Sequence, residues 1–423
     1  MILLLNTFIK ARYKRFHQRQ QLQDWQVQQV DKHLAWVCRH SPYYRALQGA
    51  KLDQFPIMNK QQMMANFDQL NTCGLEQAQL FECAINAEKK RHFSDSAIGD
   101  ITVGLSSGTS GQRGLFLASP QERQIWAGNI LGKLLPSLIT KHRIALVLRA
   151  NSPLYGTVNK GPIQFCYIDI TLPIEVWMKQ LDTFQPSLLI GSAQALQLCA
   201  LYTGKYSQKA IQPQRIISGA EVLTPADKHW LQQKFNCPIH EIYQCTEGFL
   251  GCTDEQGQMR WNEDIVLIEK HWLNAEKTHY SPIITDFRRR TQPVIRYQLD
   301  DIIVAKQDSG IFEAIGAIAG RCGDCLSLLG QGRQKGCKVP VLPDLIYRAI
   351  TLKIDEHCDY KISQLADDCI EIAAEPTYHL RIQQALSELF AQQNVLPVTF
   401  MFAPKPVWQA ANKQRRVINL CGS

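Results

Sequence analysis

Residues 105–114 read Leu-Ser-Ser-Gly-Thr-Ser-Gly-Gln-Arg-Gly and follow directly on the apolar run Ile101–Leu105. A short apolar run bounded by turn residues predicts a buried strand. Gly108, Gly111 and Gly114 let the backbone turn tightly and come close to a ligand. Ser106, Ser107, Thr109 and Ser110 add hydroxyl donors. Successive backbone N–H groups in such a loop form a concave anion site, so the stretch predicts a phosphate loop. No Gly-Lys-Ser/Thr follows at the spacing of a Walker A loop. A Ser/Gly surface loop is the alternative, and the preceding strand favours the anion site.

Working outward, residues 144–148, 188–190, 216–217 and 239–243 are further short apolar runs, with a helical pattern over 193–201. Strands alternating with helices predict an α/β domain with mixed or parallel sheets. Upstream, Val27, Val30, Leu34 and Val37 recur at helical spacing, so an amphipathic helix is expected within 10–40, broken at Ser41-Pro42. Residues 260–320 carry short apolar stretches between polar turns and predict antiparallel β structure. Beyond 323 the pattern predicts a helix over 342–350, a strand over 369–373, a helix over 380–390 and a strand over 395–403. The expected architecture is α/β: a large N-terminal domain with mixed sheets, 1–322, and a small α+β C-terminal domain, 323–423, divided near Gly320 and Gly323.

The chain has 423 residues, of which 45% are hydrophobic and 20% charged. That balance excludes a long disordered chain and supplies a sizeable core. The opening apolar run, residues 2–5, is too short to span a bilayer. Lys10, Arg12, Lys14 and Arg15 follow it, the reverse of a signal peptide's order, so a cytoplasmic protein with no membrane span is expected. The 14 cysteines then read as reduced thiols. A net charge of +8 is a mild excess for this length. It suits anionic small ligands and gives no sign of nucleic acid. The basic clusters at 10–19, 89–91 and 288–290 read as solvated faces.

Three further stretches carry chemistry. In Ile-His-Glu-Ile-Tyr-Gln-Cys-Thr-Glu-Gly, 239–248, Thr246 and Glu247 follow a strand ending at Tyr243. Ligands of α/β sheets bind at the carboxyl ends of strands. Glu247 offers a hard oxygen for Mg²⁺ shared with phosphates, a helix cap being the alternative. In Val-Ile-Arg-Tyr-Gln-Leu-Asp-Asp-Ile, 294–302, the Asp301 carboxylate suits a ribose diol, against a plain Asp-Asp turn. The stretches Ala-Gly-Arg-Cys-Gly-Asp-Cys-Leu, 319–326, and Asn-Lys-Gln-Arg-Arg-Val, 412–417, complete the set.

In this order the segments resemble the adenylate-forming superfamily of acyl-adenylate and acyl-CoA synthetases. They look most like its phenylacetate–CoA ligase branch and the related deazaflavin-coenzyme adenylyltransferases. The resemblance rests on 106–111, Ser-Gly-Ala-Glu at 218–221, Tyr243 to Glu247, Arg296 to Asp301, 320–324 and Lys413. Ser41-Pro-Tyr-Tyr-Arg45 and Phe55-Pro-Ile-Met-Asn-Lys60 also look like the family's N-terminal region.

The resemblance implies roles residue by residue. Ser106, Thr109 and Gly111 would wrap the ATP phosphates. Gly219, Ala220 and Glu221 would line the adenine site, with Tyr243 stacked nearby. Thr246 would touch phosphate, Glu247 would bind Mg²⁺ and Asp301 would hold the ribose. Arg321 would lie by the ribose and the hinge of a mobile small domain. Lys413, on that domain, would bridge the attacking carboxylate and the α-phosphate. Tyr155, Phe165, Gly191 and Ser192 would bound an acyl pocket, the two rings suiting an aromatic acid. The chain departs from the family at Gly114, Gln244, Gln298, Leu299, Asp300 and Gly323. Several members of the branch carry zinc on Cys and His. Here Cys252 matches one ligand, while Ala317 and Ala319 stand in a Cys-x-Cys pair, so no zinc is expected.

The implied reaction is ATP- and Mg²⁺-dependent adenylation of a carboxylic acid with release of pyrophosphate. Transfer to the thiol of coenzyme A or a carrier-protein phosphopantetheine would follow. The alternatives are an adenylyltransferase moving AMP to a hydroxyl and a non-catalytic nucleotide-binding relative. Retention of Glu247, Asp301 and Lys413 speaks against the last. The small-molecule acid is the expected partner, with an acyl carrier protein and a second copy of the chain, as a homodimer, as further candidates.

Overall fold

The computed structural model describes residues 2–106, 113–137, 140–159, 161–203, 205, 210–332, 335–354, 358–407 and 415–421. The chain divides into two compact units, Met1–Leu299 with Ala305–Gly316 and Asp300–Val304 with Ala317–Ser423.

The first unit begins with helices α1 (Ile2–Tyr13) and α2 (Arg19–His40). The single helix expected within 10–40 is thus divided, because Gln18 is extended and starts α2 afresh. Leu22, Gln26, Val30, Leu34 and Val37 form the buried face of α2, while Val27 faces out. Ser41 is extended ahead of Pro42 and ends α2 as expected. Then come α3 (Lys60–Ala65), α4 (Phe67–Leu70) and α5 (Gln77–Lys90). A capping box opens α3: Gln62 N–H donates to the Asn59 side chain at 2.9 Å, and Asn59 N–H donates to the Gln62 side chain at 2.9 Å. Lys60 therefore stands at a fixed helix start.

Strands β1 (Ala97–Ile98), β2 (Ile101–Leu105) and β3 (Leu115–Ala118) form a small antiparallel sheet in which Leu105 faces Leu115. The Ser/Gly stretch is therefore the connection of a β2–β3 hairpin. Helix α6 (Pro120–Leu134) follows, capped by Ser119 and Glu122.

The main sheet is built from β4 (His142–Leu148), α7 (Pro153–Gly156), β5 (Ile163–Asp169), α8 (Ile174–Phe184), β6 (Leu188–Gly191), α9 (Ala193–Tyr202), β7 (Arg215–Ser218), α10 (Pro225–Phe235), β8 (Ile239–Gln244), β9 (Phe249–Thr253) and β10 (Met259–Trp261). Its order is β10-β9-β8-β7-β6-β4-β5. The pairs from β5 across to β8 are parallel, and β9 and β10 are antiparallel. Trp177, Met178 and Leu181 of α8 and Leu196 of α9 bury against Val147, Leu189 and Ile216 on the sheet. Parallel strands all end on one edge, which here presents Leu148, Gly191, Ser218 and Gln244.

An antiparallel set, β11 (Val266–Trp272), β12 (His279–Asp286) and β13 (Val294–Gln298), completes the unit. In β13, Arg296 has φ of 45°. Its guanidinium bonds Glu269 at 2.9 Å and the carbonyls of Asp53 and Phe55, both at 2.9 Å.

Strand β14 (Asp301–Ala305), in the second unit up to Val304, pairs with β15 (Ile315–Arg321), in that unit from Ala317, and β16 (Leu326–Leu329) pairs with β17 (Lys338–Val341). Helix α11 (Pro343–Lys353), β18 (Tyr360–Ala366), β19 (Cys369–Ala374), α12 (His379–Gln392), β20 (Thr399–Ala403) and β21 (Val417–Asn419) follow, with sheet order β20-β19-β18-β21. Ile346, Ile350, Ile362, Ile372 and Leu386 are its core. The strand expected from 395 starts at Thr399, because Pro397 has no N–H to give the ladder.

Three clusters expected to be solvated faces are partly structural. Arg12 caps the end of α6, donating to Leu135 O at 2.6 Å and Pro136 O at 3.1 Å. Arg19 bonds both oxygens of Glu263 at 2.6 Å. Arg91 bonds Asp169, and Arg288 and Arg289 are taken up below.

Helices α1 and α6 touch backbone to backbone. A Cβ on Gly128 would lie 2.7 Å from Leu4 O, and one on Gly132 would lie 2.7 Å from Ala11 Cβ. Replacing Gly128→Leu is expected to lower stability by about 1–3 kcal/mol, the usual cost of overpacking. Urea unfolding checks this, as does earlier tryptic cleavage at Lys10 or Arg12 once α1 lifts away.

Candidate active site

The end of β2 delivers Ser106. Its N–H donates to Gly114 O at 2.8 Å, and its Oγ accepts from Gly114 N–H at 2.7 Å. The base of the Ser/Gly loop is thereby closed. Thr109 and Gly111 lie outside the described residues, as does Lys413. Arg113 leaves the loop with Nε on Ser106 O at 3.1 Å and Nη2 on Glu88 at 2.7 Å.

At the end of β8 the chain reverses through a turn closed by Cys245 N–H on Gly248 O at 3.0 Å. That turn presents Thr246 and Glu247, whose side chains are joined by Thr246 Oγ1 donating to Glu247 Oε2 at 2.8 Å. Arg289 holds the turn from behind. Its Nη1 donates to Thr246 O at 3.0 Å and its Nη2 to Leu117 O at 3.2 Å, so one guanidinium ties the turn to β3. Gln292 adds Nε2 to Leu115 O at 3.1 Å and accepts from Leu117 N–H at 2.9 Å. The Arg288–Arg290 cluster is therefore not a solvated face: Arg288 reaches Asp264 O at 3.3 Å and Arg289 holds the site. Their partners lie far away in sequence, and no local pattern marks them.

Between these parts opens a narrow, partly open cleft. Lys60, Met63 and Met64 from α3, Gly114 and Leu115 from the hairpin, Thr246 and Glu247 from the turn, and Gln292 and Tyr297 line it. Lys60 lies along Gly114, its Cε 3.1 Å from where a Cβ there would sit. Thr246 and Glu247 thus share the cleft with Gly114, to which Ser106 is hydrogen-bonded. Lys60, quoted only as part of an N-terminal likeness, joins them.

Farther along the sheet edge, Gly219 N–H donates to Gly191 O at 3.0 Å. Gly219 packs against Ile242, and Ala220 takes a φ of 66°, rare without glycine. Ser192 caps α9, accepting from Ala195 N–H at 3.2 Å, and Glu221 accepts from Gln194 N–H at 3.2 Å. A carboxylate and a hydroxyl thus satisfy the free donors at this helix start. The Tyr243 ring is buried against Trp261 at 5.6 Å between centroids. Tyr155 lies 5.7 Å from Trp126, and burial raises its hydroxyl pKa. Trp126 Nε1 donates to Gln244 Oε1 at 3.2 Å, so the Gln244 side chain reaches across to α6. Phe165 is half-buried beside the core cluster of α6 and β4.

In the second unit Arg321 Nε stands 3.5 Å from Asp301 Oδ1, and Arg415 pairs with Asp324. Cys322 N–H donates to Asp300 O at 2.7 Å. Burial raises both thiols, Cys325 to about 12, which keeps them protonated. Cys252 gives its thiol to Asn262, and Arg260 pairs with Asp254 at 2.6 Å and Asp308 at 2.8 Å.

No family model matches the sequence. Protein CapK of Staphylococcus aureus is 26% identical over 170 residues, which is 38% of this chain and 36% of CapK, so the match spans about a third of that relative. Among solved structures, 2-hydroxyisobutyryl-CoA ligase with a bound acyl adenylate is similar with a TM-score of 0.66 at 14% identity, over 93% of this chain and 88% of the ligase. An acyl acid amido synthetase gives 0.56 at 12% identity, over 91% and 86%. The chain shares its fold with these two enzymes. Within that fold, the α/β body with its mixed sheets and the separate C-terminal α+β unit correspond to those of an acid–CoA ligase.

Asp286 supplies a pH test of the site's frame. It is buried beneath Gly248, with Oδ1 accepting from Arg288 N–H at 2.9 Å. Burial pushes its carboxyl up to about 6, against the pull of Arg289 and Arg288. A folded pKa above the usual 3.8 means that its contribution to stability is present below about pH 4 and is lost as pH rises through about 6. Asp286→Asn should flatten the stability–pH curve between about pH 4 and 6, removing a change on the order of 2–3 kcal/mol. Urea midpoints measured across that range check it.

Proposed function

We propose that the chain is an adenylate-forming ligase. It would activate a carboxylic acid with ATP and Mg²⁺, release pyrophosphate and pass the acyl group to a thiol. The observation that carries the reading is the convergence of the closed Ser106–Gly114 hairpin, Lys60 and the Thr246–Glu247 turn on one cleft at the carboxyl edge of the parallel sheet. The neighbouring ligase was solved with an acyl adenylate and with coenzyme A, which supports adenylation followed by thiol transfer.

The residues present fit a magnesium–triphosphate. Glu247 accepts one hydrogen bond at Oε2, leaving Oε1 without one among the described residues, and hard cations take such oxygens. Bound Mg²⁺ would neutralise phosphate charge. Lys60 and the Thr246 hydroxyl suit the phosphate oxygens, with the N–H groups of the Ser106 loop, Thr109 and Gly111 included, around them. Gly219, Ala220, Glu221 and Tyr243 serve the adenine side, and Asp301 with Arg321 the ribose. Lys413, carried by a mobile small domain over 323–423, stabilises the charge that develops as carboxylate meets α-phosphate. Tyr155, Phe165, Gly191 and Ser192 take the acid, with an aromatic one first in line. Coenzyme A or a carrier-protein phosphopantetheine is the acceptor, and the protein works in the cytoplasm without zinc.

Exchange of labelled pyrophosphate into ATP, dependent on an aryl or arylalkanoic acid and on Mg²⁺, is the expected result. Exchange with no acid of a broad panel would move the reading to AMP transfer onto a hydroxyl.

Two substitutions divide the labour. Lys413→Ala should slow exchange by on the order of 10²–10³, the scale of losing one preorganised donor. Thioester formation from supplied acyl adenylate should survive it. Lys60→Ala should act on ATP, raising its KM about ten-fold with a smaller change in kcat, because a cation that meets phosphate in ground and transition states contributes uniform binding.

A further inference from the structure

Helix α1 has two faces. The inner one, with Thr7 and Phe8, is buried where α6 offers Gly128 and Gly132. The outer one carries Ile2, Leu5, Ile9 and Tyr13, which are 84%, 54%, 46% and 63% exposed. At 100° per residue these four fall on one stripe. All four belong to the exposed large apolar side chains of the described residues. Single exposed apolar residues need no explanation, but an aligned row does.

The charged side chains of the segment itself are all basic, and the acid that reaches it from a packed element, Asp264 beside Lys14, is already paired with Lys133 at 2.9 Å. Lys10 is exposed at its edge, and Arg12 and Arg15 follow at its C-terminal end. Arg12 gives its N–H groups to the α6 carbonyls and Arg15 to those of Arg12 and Lys14, so neither charge is neutralised in these bonds. No acidic residue occurs before Asp24. A second copy docked stripe to stripe would bring these cations together with no carboxylate between them. Four side chains also fall far short of the roughly 800 Å² per partner that a stable protein interface buries. An anionic bilayer answers both terms: its acyl boundary takes the apolar row, its head groups the cations, and Tyr13 suits the interface between them. At 12 residues, α1 can lie on a membrane but not cross one, and no described helix is long and apolar enough to span.

We propose that the outer face of α1 is a docking strip for an anionic lipid surface, holding the protein peripherally and reversibly. The backbone contact with α6 makes the strip part of the folded body, so membrane binding requires no unfolding of α1.

Sedimentation of the full chain with vesicles tests this. Binding is expected to vesicles of phosphatidylcholine mixed with phosphatidylglycerol, weak binding to phosphatidylcholine alone, and loss with added salt. Leu5→Glu with Ile9→Glu should reduce binding about ten-fold or more, as should Lys10→Glu with Arg15→Glu. All four side chains are exposed or partly so, and an unchanged melting temperature confirms that the variants fold. Equal binding by wild type and variants, or no binding to anionic vesicles, overturns the proposal. So does a wild-type dimer that Leu5→Glu with Ile9→Glu converts to monomer, which would make the stripe a contact between copies.

Discussion

The hairpin and the turn that face the cleft of the first unit are both held by residues 286–292. Glu122, buried at the start of α6, accepts from the N–H groups of Arg290 at 2.6 Å and Thr291 at 2.9 Å, and from the Thr291 hydroxyl. The same carboxylate closes the α6 cap at Ser119 N–H, 2.7 Å. One buried acid thus serves a helix start and a strand connection at once. From that fixed segment Arg289 and Gln292 reach out to the β2–β3 hairpin and the Thr246–Glu247 turn. A carboxylate taken out of water is costly unless its oxygens are satisfied, and here backbone and hydroxyl donors satisfy them.

The strands of the main sheet were legible because each is a short apolar run with its own turn signals. β6 and β8, and β2 in the small sheet, fall within a residue of where the sequence put them, since each is a short apolar run between turn residues. Thr246 and Glu247 could be placed at a strand end for the same reason. What composition does not carry is pairing at a distance. Arg12, Arg19, Arg91 and Arg289 look like their solvated neighbours until the fold brings a carbonyl or carboxylate to each. The position of Lys60 at the cleft was hidden likewise, because the local pattern gives only its helix cap.

Three of the residues that depart from the resembled pattern, Gln244, Gln298 and Leu299, are absorbed locally. Gln298 reaches Ser281 Oγ at 3.4 Å, and the same hydroxyl donates to Leu299 O at 2.6 Å. Leu299 is itself buried. Gln244 finds the Trp126 indole, which joins the end of β8 to α6. These three side chains make their contacts inside the body of the unit.

The Arg296 clamp bears on how the protein is made. Residues 53–58, which lead into Lys60, are pinned by the guanidinium of Arg296 and by a backbone exchange in which Met58 N–H meets Arg296 O at 3.0 Å and Gln298 N–H meets Met58 O at 2.8 Å. Their partner leaves the ribosome some 243 residues after Asp53. At ordinary translation speeds of about 5–20 residues per second, that is a wait of roughly 10–50 s. Throughout it the first-made segment has no place to settle, and Phe55 and Met58, both buried in the finished unit, remain open to chaperones and proteases. The segment that leads to the lysine at the cleft is made well before the arginine that holds it in position.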